Sequence, residues 1–259
     1  MVYMGSKSKY ASYIVPVLQK IIDATGATEY IEYFCGGCNI IDKIKCEHKY
    51  AYDRSDTLIA LLRQAAEDFS QLPEDGSREM WDKGKGYVKD GIMPEDMSLA
   101  DIGAIEFFAS FSNGGFPRGY AKNSTTRNYY KEAWRNLREQ APDLKDIVFG
   151  VKDYTTVDPL SEAGAVIYLD PPYQGTKFYG YANQPKMDYT FFWNWVRELS
   201  KQNFVIVSEQ SAPEDFIPIW TQKVTRTTNK ENNFKAVENL WVYDNPTDNL
   251  LFKGKYDII

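Results

Sequence analysis

The stretch Val166-Ile167-Tyr168-Leu169-Asp170-Pro171-Pro172-Tyr173 passes without a break from four apolar residues into a carboxylate, two prolines and an aromatic ring. A short continuous apolar run that ends at turn residues has the pattern of a strand buried on both faces. Working outward, similar runs occupy residues 147–151 and 204–208, and a helical pattern over 189–200 separates the last two strands. Upstream, 29–34 and 50–52 read as strands, and 11–24 and 56–69 as amphipathic helices. Strands alternating with helices predict an α/β fold, a mainly parallel sheet covered on both faces. Residues 222–227 and 239–243 add an antiparallel edge pair. The rhythm fails between about 60 and 145. There, 71–98 is rich in Gly, Pro and charge and predicts an irregular module, followed by a helix at 99–111, a glycine-rich turn at 113–120 and a helix at 127–140. The expected organisation is therefore a discontinuous sheet domain, 1–60 and 146–259, interrupted by a helical insertion, 61–145.

Composition narrows the class. The 259 residues, 43% hydrophobic and 25% charged, suffice for one sizeable domain carrying a smaller insertion. No run approaches the roughly 20 apolar residues of a membrane span, and residues 1–13 are polar and lysine-bearing, unlike a signal peptide. Three cysteines, an odd number, argue against a disulfide framework and for a reducing, cytoplasmic setting. A net charge of −6 counts against a protein that coats nucleic acid nonspecifically. The charge is polarised, however. Between 116 and 140, Arg118, Lys122, Arg127, Lys131, Arg135 and Arg138 face only Glu132 and Glu139.

Ligands in open α/β sheets bind at the carboxyl ends of strands, where Asp170 to Tyr173 emerges. Prolines fix φ and offer carbonyls without amide donors, so the backbone there is rigid and acceptor-only. A carboxylate, the Pro171 carbonyl and the Tyr173 ring suit a planar group bearing an NH₂, such as adenine. The acceptors would orient a delocalised, poorly nucleophilic nitrogen, and Tyr173 would stack on a base flipped out of its duplex. The plain alternative is a turn. A second feature is Tyr33-Phe34-Cys35-Gly36-Gly37-Cys38, where adjacent glycines admit a ligand against the backbone. Asp53 closes the next strand and is suited to ribose hydroxyls. Together they point to a nucleoside-type cofactor.

In this order the motifs resemble those of the Dam-like DNA adenine methyltransferases, the alpha group with an Asp-Pro-Pro-Tyr motif. There a phenylalanine-centred glycine loop precedes the target-recognition insertion and Asp-Pro-Pro-Tyr follows it. Tyr3-Met4-Gly5-Ser6-Lys7 is similar to the family's aromatic–glycine–lysine segment, and Asp153-Tyr154 to its acidic–aromatic pair. The resemblance implies a class I methyltransferase fold with S-adenosylmethionine as cofactor, bound by Tyr3, Lys7, Phe34, Cys35, Gly36, Asp53, Asp153, Tyr154 and Asp170. It implies catalysis by Asp170, Pro171 and Tyr173 on double-stranded DNA, in a prokaryotic or phage-encoded enzyme with or without a restriction partner. This sequence has tyrosine and serine at Tyr3 and Ser6 where the family often has tryptophan and glycine. Arg118, Tyr120, Lys122 and Arg127, in or beside the glycine-rich turn, are the candidate DNA contacts.

Rival readings exist for the same residues. Cys35, Cys38, Cys46 and His48 have the ligand count of a zinc site, but the glycine loop claims the first two, so no metal is expected. A cytosine-N4 amine poses the same chemical problem as adenine N6. A methyltransferase-like binding module without catalysis is the alternative of another class, and an intact Asp170 to Tyr173 speaks against it.

Overall fold

The computed structural model describes residues 1–121, 127–175, 186–229 and 232–244. Among them one sheet of seven strands carries the architecture, in the order β3-β2-β1-β4-β5-β7-β6. The strands are β1 Glu29–Glu32, β2 His48–Asp53, β3 Ile147–Val151, β4 Val166–Leu169, β5 Phe204–Glu209, β6 Phe216–Asn229 and β7 Asn232–Tyr243. The first five pair in parallel; β7 lies antiparallel between β5 and β6. The chain builds outward from β1 in one direction and from β4 in the other, so the order reverses between them. A crevice opens at such a reversal, at the carboxyl ends of the two strands.

Alternation along the strands feeds two cores. Tyr30, Val166, Tyr168, Phe204 and Ile206 face the larger one; Ile31, Ile167, Leu169, Val205 and Val207 face the smaller. The larger core is covered by α1 Ala11–Thr25, α2 Asp56–Asp68, α4 Leu99–Phe108 and α5 Tyr129–Gln140, the smaller by α6 Tyr189–Leu199. In α6 the spacing of Phe192, Trp193, Trp195, Val196 and Leu199 puts a continuous apolar face on the sheet. Helix α1 ends where Gly26 adopts a left-handed φ of 69° and returns its N–H to the Ile22 carbonyl.

One expectation fails. The charged, glycine-bearing 71–98 stretch contains a regular helix, α3 Arg78–Asp90. Ser77 caps its start by accepting from the Met80 N–H, and Gly91 closes it in the left-handed conformation. Trp81 fixes it: the ring is 2% exposed and packs edge-on against Phe116, centroids 4.7 Å apart. Burial of one tryptophan outweighs the poor propensity of Gly84 and Gly86. Trp81, Ala100, Phe108 and Tyr130 belong to the same core as the sheet face, so the helices of 61–145 share that core with the sheet. Strand β6 extends past the predicted 222–227 at both ends and β7 starts before 239 but ends at Tyr243 as expected. Their mutual pairing runs on through Phe216 to Thr221 and through the more polar residues as far as Asn229 and Asn232.

Apart from Asp101 in its capping box and the buried Glu106, helix α4 is apolar, because α2, α3 and α5 enclose it and leave little of it to water. At Gly103 a Cβ would lie 2.2 Å from the Thr57 carbonyl oxygen, so only glycine lets α4 approach α2 this closely.

Candidate active site

A cleft of about 1550 Å³ opens at the carboxyl ends of β1, β2 and β4. The glycine loop after β1, the end of β2 and the Asp170 loop after β4 all line it, together with Tyr3 and Lys7.

The glycine loop is held by what surrounds it. The Cys35 N–H bonds to the Tyr52 carbonyl at 3.0 Å. Gly36 has φ of 47°, and a Cβ there would stand 3.1 Å from the Tyr3 ring. The backbone is therefore bare where it faces the cleft. Gln140, on α5, donates its amide to the Gly37, Cys38 and Asp42 oxygens at 3.2, 2.9 and 2.8 Å. Asp53 accepts the Gly36 N–H at 3.2 Å and the Ser55 N–H at 3.1 Å. Burial pushes its carboxyl up, and these N–H groups draw it back. Phe34 packs on Tyr154, centroids 5.3 Å apart, which walls the cleft beside Asp53. Asp153 caps the short turn that carries Tyr154, accepting from the Thr155 N–H at 3.0 Å. Tyr3, Phe34, Cys35, Gly36, Asp53, Asp153 and Tyr154 thus line one cleft.

The second half of the site centres on Asp170. Lys7, 7% exposed on a 3₁₀ turn of the N-terminal segment, puts Nζ 2.6 Å from Asp170 Oδ1. The same ammonium stands 4.5 Å above the Tyr173 ring. Lys7 therefore meets the Asp170 carboxylate as well as lining the cleft. Burial pushes the Asp170 carboxyl up, and Lys7 pulls it back down. Pro171 is buried; the Pro172 carbonyl accepts from the Tyr189 hydroxyl. Tyr173 is 8% exposed and donates its hydroxyl to Glu238. Burial raises its pKa far above a free phenol's, so the phenol keeps its proton.

Several residues here escaped the sequence reading. Glu238 on β7 and Ser208 on β5 meet the Tyr173 hydroxyl. Glu209 accepts the Gln174 and Gln210 N–H groups at 3.0 and 2.7 Å, and burial pushes its carboxyl up to about 7. Glu32 accepts from the Tyr30 hydroxyl at 2.9 Å and is held well above the carboxylate range by burial. The signal that could have found them is an acid inside an apolar strand run, as in Val237-Glu238-Asn239-Leu240.

The glycine-rich turn borders the cleft. Gly114 and Pro117 line it, and Met4 packs against Gly114. Arg118 lies half-buried on this turn. Tyr120 is an anchor: its ring packs on Trp81, 5.5 Å between centroids, and its hydroxyl donates to the Gly76 carbonyl. Arg127 is exposed, paired in two-pronged fashion with Glu132 at 2.8 and 2.9 Å. Lys122 lies outside the described residues.

Cys35 and Cys38 sit beyond the carboxyl end of β1. Cys46 bonds the Ala27 carbonyl, and His48 lies in register with Glu29 at the strand's other end. Separated by the length of the strand, the four do not converge on one ion. Among the described residues no cluster of three or more metal-ligating side chains occurs, and no helix is long and apolar enough to cross a membrane.

The family model of the D12 class N6 adenine-specific DNA methyltransferases matches residues 3–91 and 100–240. The chain belongs to this family. It is an adenine-specific DNA methyltransferase of class I fold, and DNA is its substrate. Two solved structures of the rRNA methyltransferase aviRa from Streptomyces viridochromogenes align with it at 12% identity. They cover 94% and 95% of this methyltransferase and 86% and 87% of their own chains, with TM-scores of 0.42 and 0.41. No curated protein matches the sequence.

Proposed function

We propose that the enzyme moves a methyl group from S-adenosylmethionine directly to N6 of an adenine flipped out of duplex DNA. The observation that carries this reading is the meeting, in one cleft, of the glycine loop with Asp53 and of Asp170 with Tyr173. The residues fit a nucleoside cofactor: a bare glycine backbone, a half-buried acid for ribose hydroxyls, and the rings of Phe34 and Tyr154 as a wall. Tyr3, Lys7, Cys35, Asp153 and Asp170 complete the cofactor's surroundings in this reading. When bound, the cofactor supplies an electrophilic methyl group on a sulfonium sulfur.

The chain's own task is placement. Asp170 and the Pro171 carbonyl accept the two N–H bonds of the target amine, which points its lone pair out of the adenine plane. A carboxylate fixed before the reaction also stabilises the positive charge growing on that nitrogen. Tyr173 bounds the pocket of the extruded base. The segment 61–145 bears the DNA-reading surface, with Arg118 at the cleft margin as base reader. Arg127 and Lys122 are phosphate contacts, the former exchanging Glu132 for a phosphate oxygen.

Base-resolution sequencing of DNA from cells expressing the chain tests the proposal. N6-methyladenine in one sequence context is the expected result. N4-methylcytosine would transfer the same chemistry to cytosine, and unmodified DNA from cells holding folded protein would overturn the reading.

A further inference from the structure

Glu238 is a charged residue in the strand that closes the sheet, at a position where packing alone would favour an apolar one. Leu240 and Val242, on the same strand face, are fully buried aliphatics. The Glu238 side chain is 1% exposed. Its Oε1 receives the Tyr173 hydroxyl, the Ser208 hydroxyl at 2.9 Å, and Lys7 Nζ at 3.5 Å. Burying a carboxylate is costly unless partners compensate it. Here the partners are two residues of the candidate catalytic group and a serine that fixes the carboxylate's direction.

The Lys7 ammonium lies between two acids, 2.6 Å from Asp170 and 3.5 Å from Glu238. That arrangement meets a difficulty in the reading of Asp170 as acceptor for the target amine, on which this inference rests. In the structure Lys7 already holds Asp170 Oδ1. An N–H that docks on Oδ1 must compete there with a full positive charge, and Lys7 leaves that oxygen only for another acceptor within reach. We propose that Glu238 is a positioning residue, the second seat of the Lys7 ammonium, which moves from Asp170 to Glu238 as the amine docks. A shift of about an ångström on a flexible four-carbon stem suffices. The two hydroxyls keep Oε1 aimed at Lys7 throughout. The other titratable groups facing Lys7, Asp170 and Glu238 are Glu32 on β1, Glu209 on β5, and the phenols of Tyr168 and Tyr173.

Full-length wild type, E238Q and E238D are compared in methyl transfer to duplex DNA across pH, alongside cofactor KM, duplex Kd and thermal melting. The E238Q amide oxygen still accepts from Tyr173 and Ser208 but no longer offers a charge. Its kcat falls by about tenfold or more, with cofactor KM and duplex Kd within about twofold. The acid limb of kcat moves to lower pH, because Glu238 no longer repels the Asp170 carboxylate. E238D, which keeps the charge, stays within about threefold of wild type.

Wild-type kcat and an unmoved acid limb in E238Q overturn the proposal. So does a loss that appears wholly in cofactor KM, or an E238D as poor as E238Q at an unchanged melting temperature. If E238Q does not fold, E238D decides: about threefold or less supports the role and about tenfold or more refutes it. D170A in the same assay separates the two layers. An inactive D170A beside a normal E238Q removes only the role of Glu238; an active D170A removes the acceptor reading beneath it.

Discussion

Replacing Asp170 with alanine is the sharpest test of the site, because the structure sets separate magnitudes for stability and for chemistry. Lys7 is 7% exposed and loses its partner at 2.6 Å. Breaking a buried pair and orphaning a charge costs about 3–5 kcal/mol. Glu238 remains 3.5 Å from the ammonium, so the loss should stay near the lower figure for an unsatisfied group, about 1–2 kcal/mol. In a chain of this size that lowers the melting temperature by about 2–8 °C. Chemistry suffers far more. Losing one preorganised group aimed at developing charge costs about 10²–10³ in rate. The proposed cofactor cradle, Gly36 in the loop after β1 and Asp53 at the end of β2, keeps its own hydrogen bonds. Cofactor affinity should therefore fall by less than about tenfold, or 1.4 kcal/mol. Transfer of labelled methyl to duplex DNA, calorimetry with the cofactor and a thermal melt measure the three quantities on one preparation. Turnover within about threefold of wild type would refute the acceptor role. A fall in cofactor affinity as large as the fall in rate would reassign Asp170 to cofactor binding alone.

Three further outcomes follow from the geometry. D53A weakens cofactor binding by about 1.5–3 kcal/mol, the contribution of hydrogen bonds to a charged group, and unchanged affinity by calorimetry would remove the ribose role. Glu209 titrates near 7, above its ordinary 4.5. Its contribution to stability is complete below about 4.5 and is lost as pH rises through 7. The wild-type melting temperature should thus fall between about pH 5 and 8 more steeply than that of E209Q; parallel profiles would contradict the assignment. Neutralising Arg118 and Arg127 together should weaken duplex binding and flatten its salt dependence by about 0.9 for each phosphate no longer neutralised, with cofactor affinity unchanged. An unaltered salt slope would place the DNA-facing surface elsewhere.

The strand after which the chemistry emerges was legible because β4 is buried on both faces and reads as four apolar residues in a row. The same holds for β5, and the helical periodicity of α1 and α2 gave their bounds to within a residue or two. Helix α3 was not legible, since its one decisive residue, Trp81, is buried against Phe116 and Tyr120 from beyond a helix's own reach. The glycine-loop half of the candidate site is local: Phe34 to Asp53 runs from the end of β1 to the end of β2, so its spacing could be read from the sequence. The acid cluster is not local. Lys7, Asp170, Ser208 and Glu238 come from four separate stretches, and only the sheet order brings β7 beside β5 and the Asp170 loop. Tyr120 shows what composition leaves out: an aromatic in a basic turn whose ring also packs on Trp81 and whose hydroxyl bonds the Gly76 carbonyl.

That Lys7 and Glu238 meet has a consequence for how activity arises during synthesis. Their pairing closes a loop spanning nearly the whole described chain. Pairings of such sequence separation cost loop-closure entropy that is offset only once the intervening structure exists. A nascent chain that has emerged through β5 already carries the glycine loop and Asp170 and still lacks the strand that completes the acid–ammonium–phenol group. Domains fold as units, and here a strand delivered late in synthesis orients a residue delivered early. A polypeptide halted before β7 would hold the makings of a cofactor site without an ordered place for a base. The fold thereby ties chemical competence to completion of the sheet.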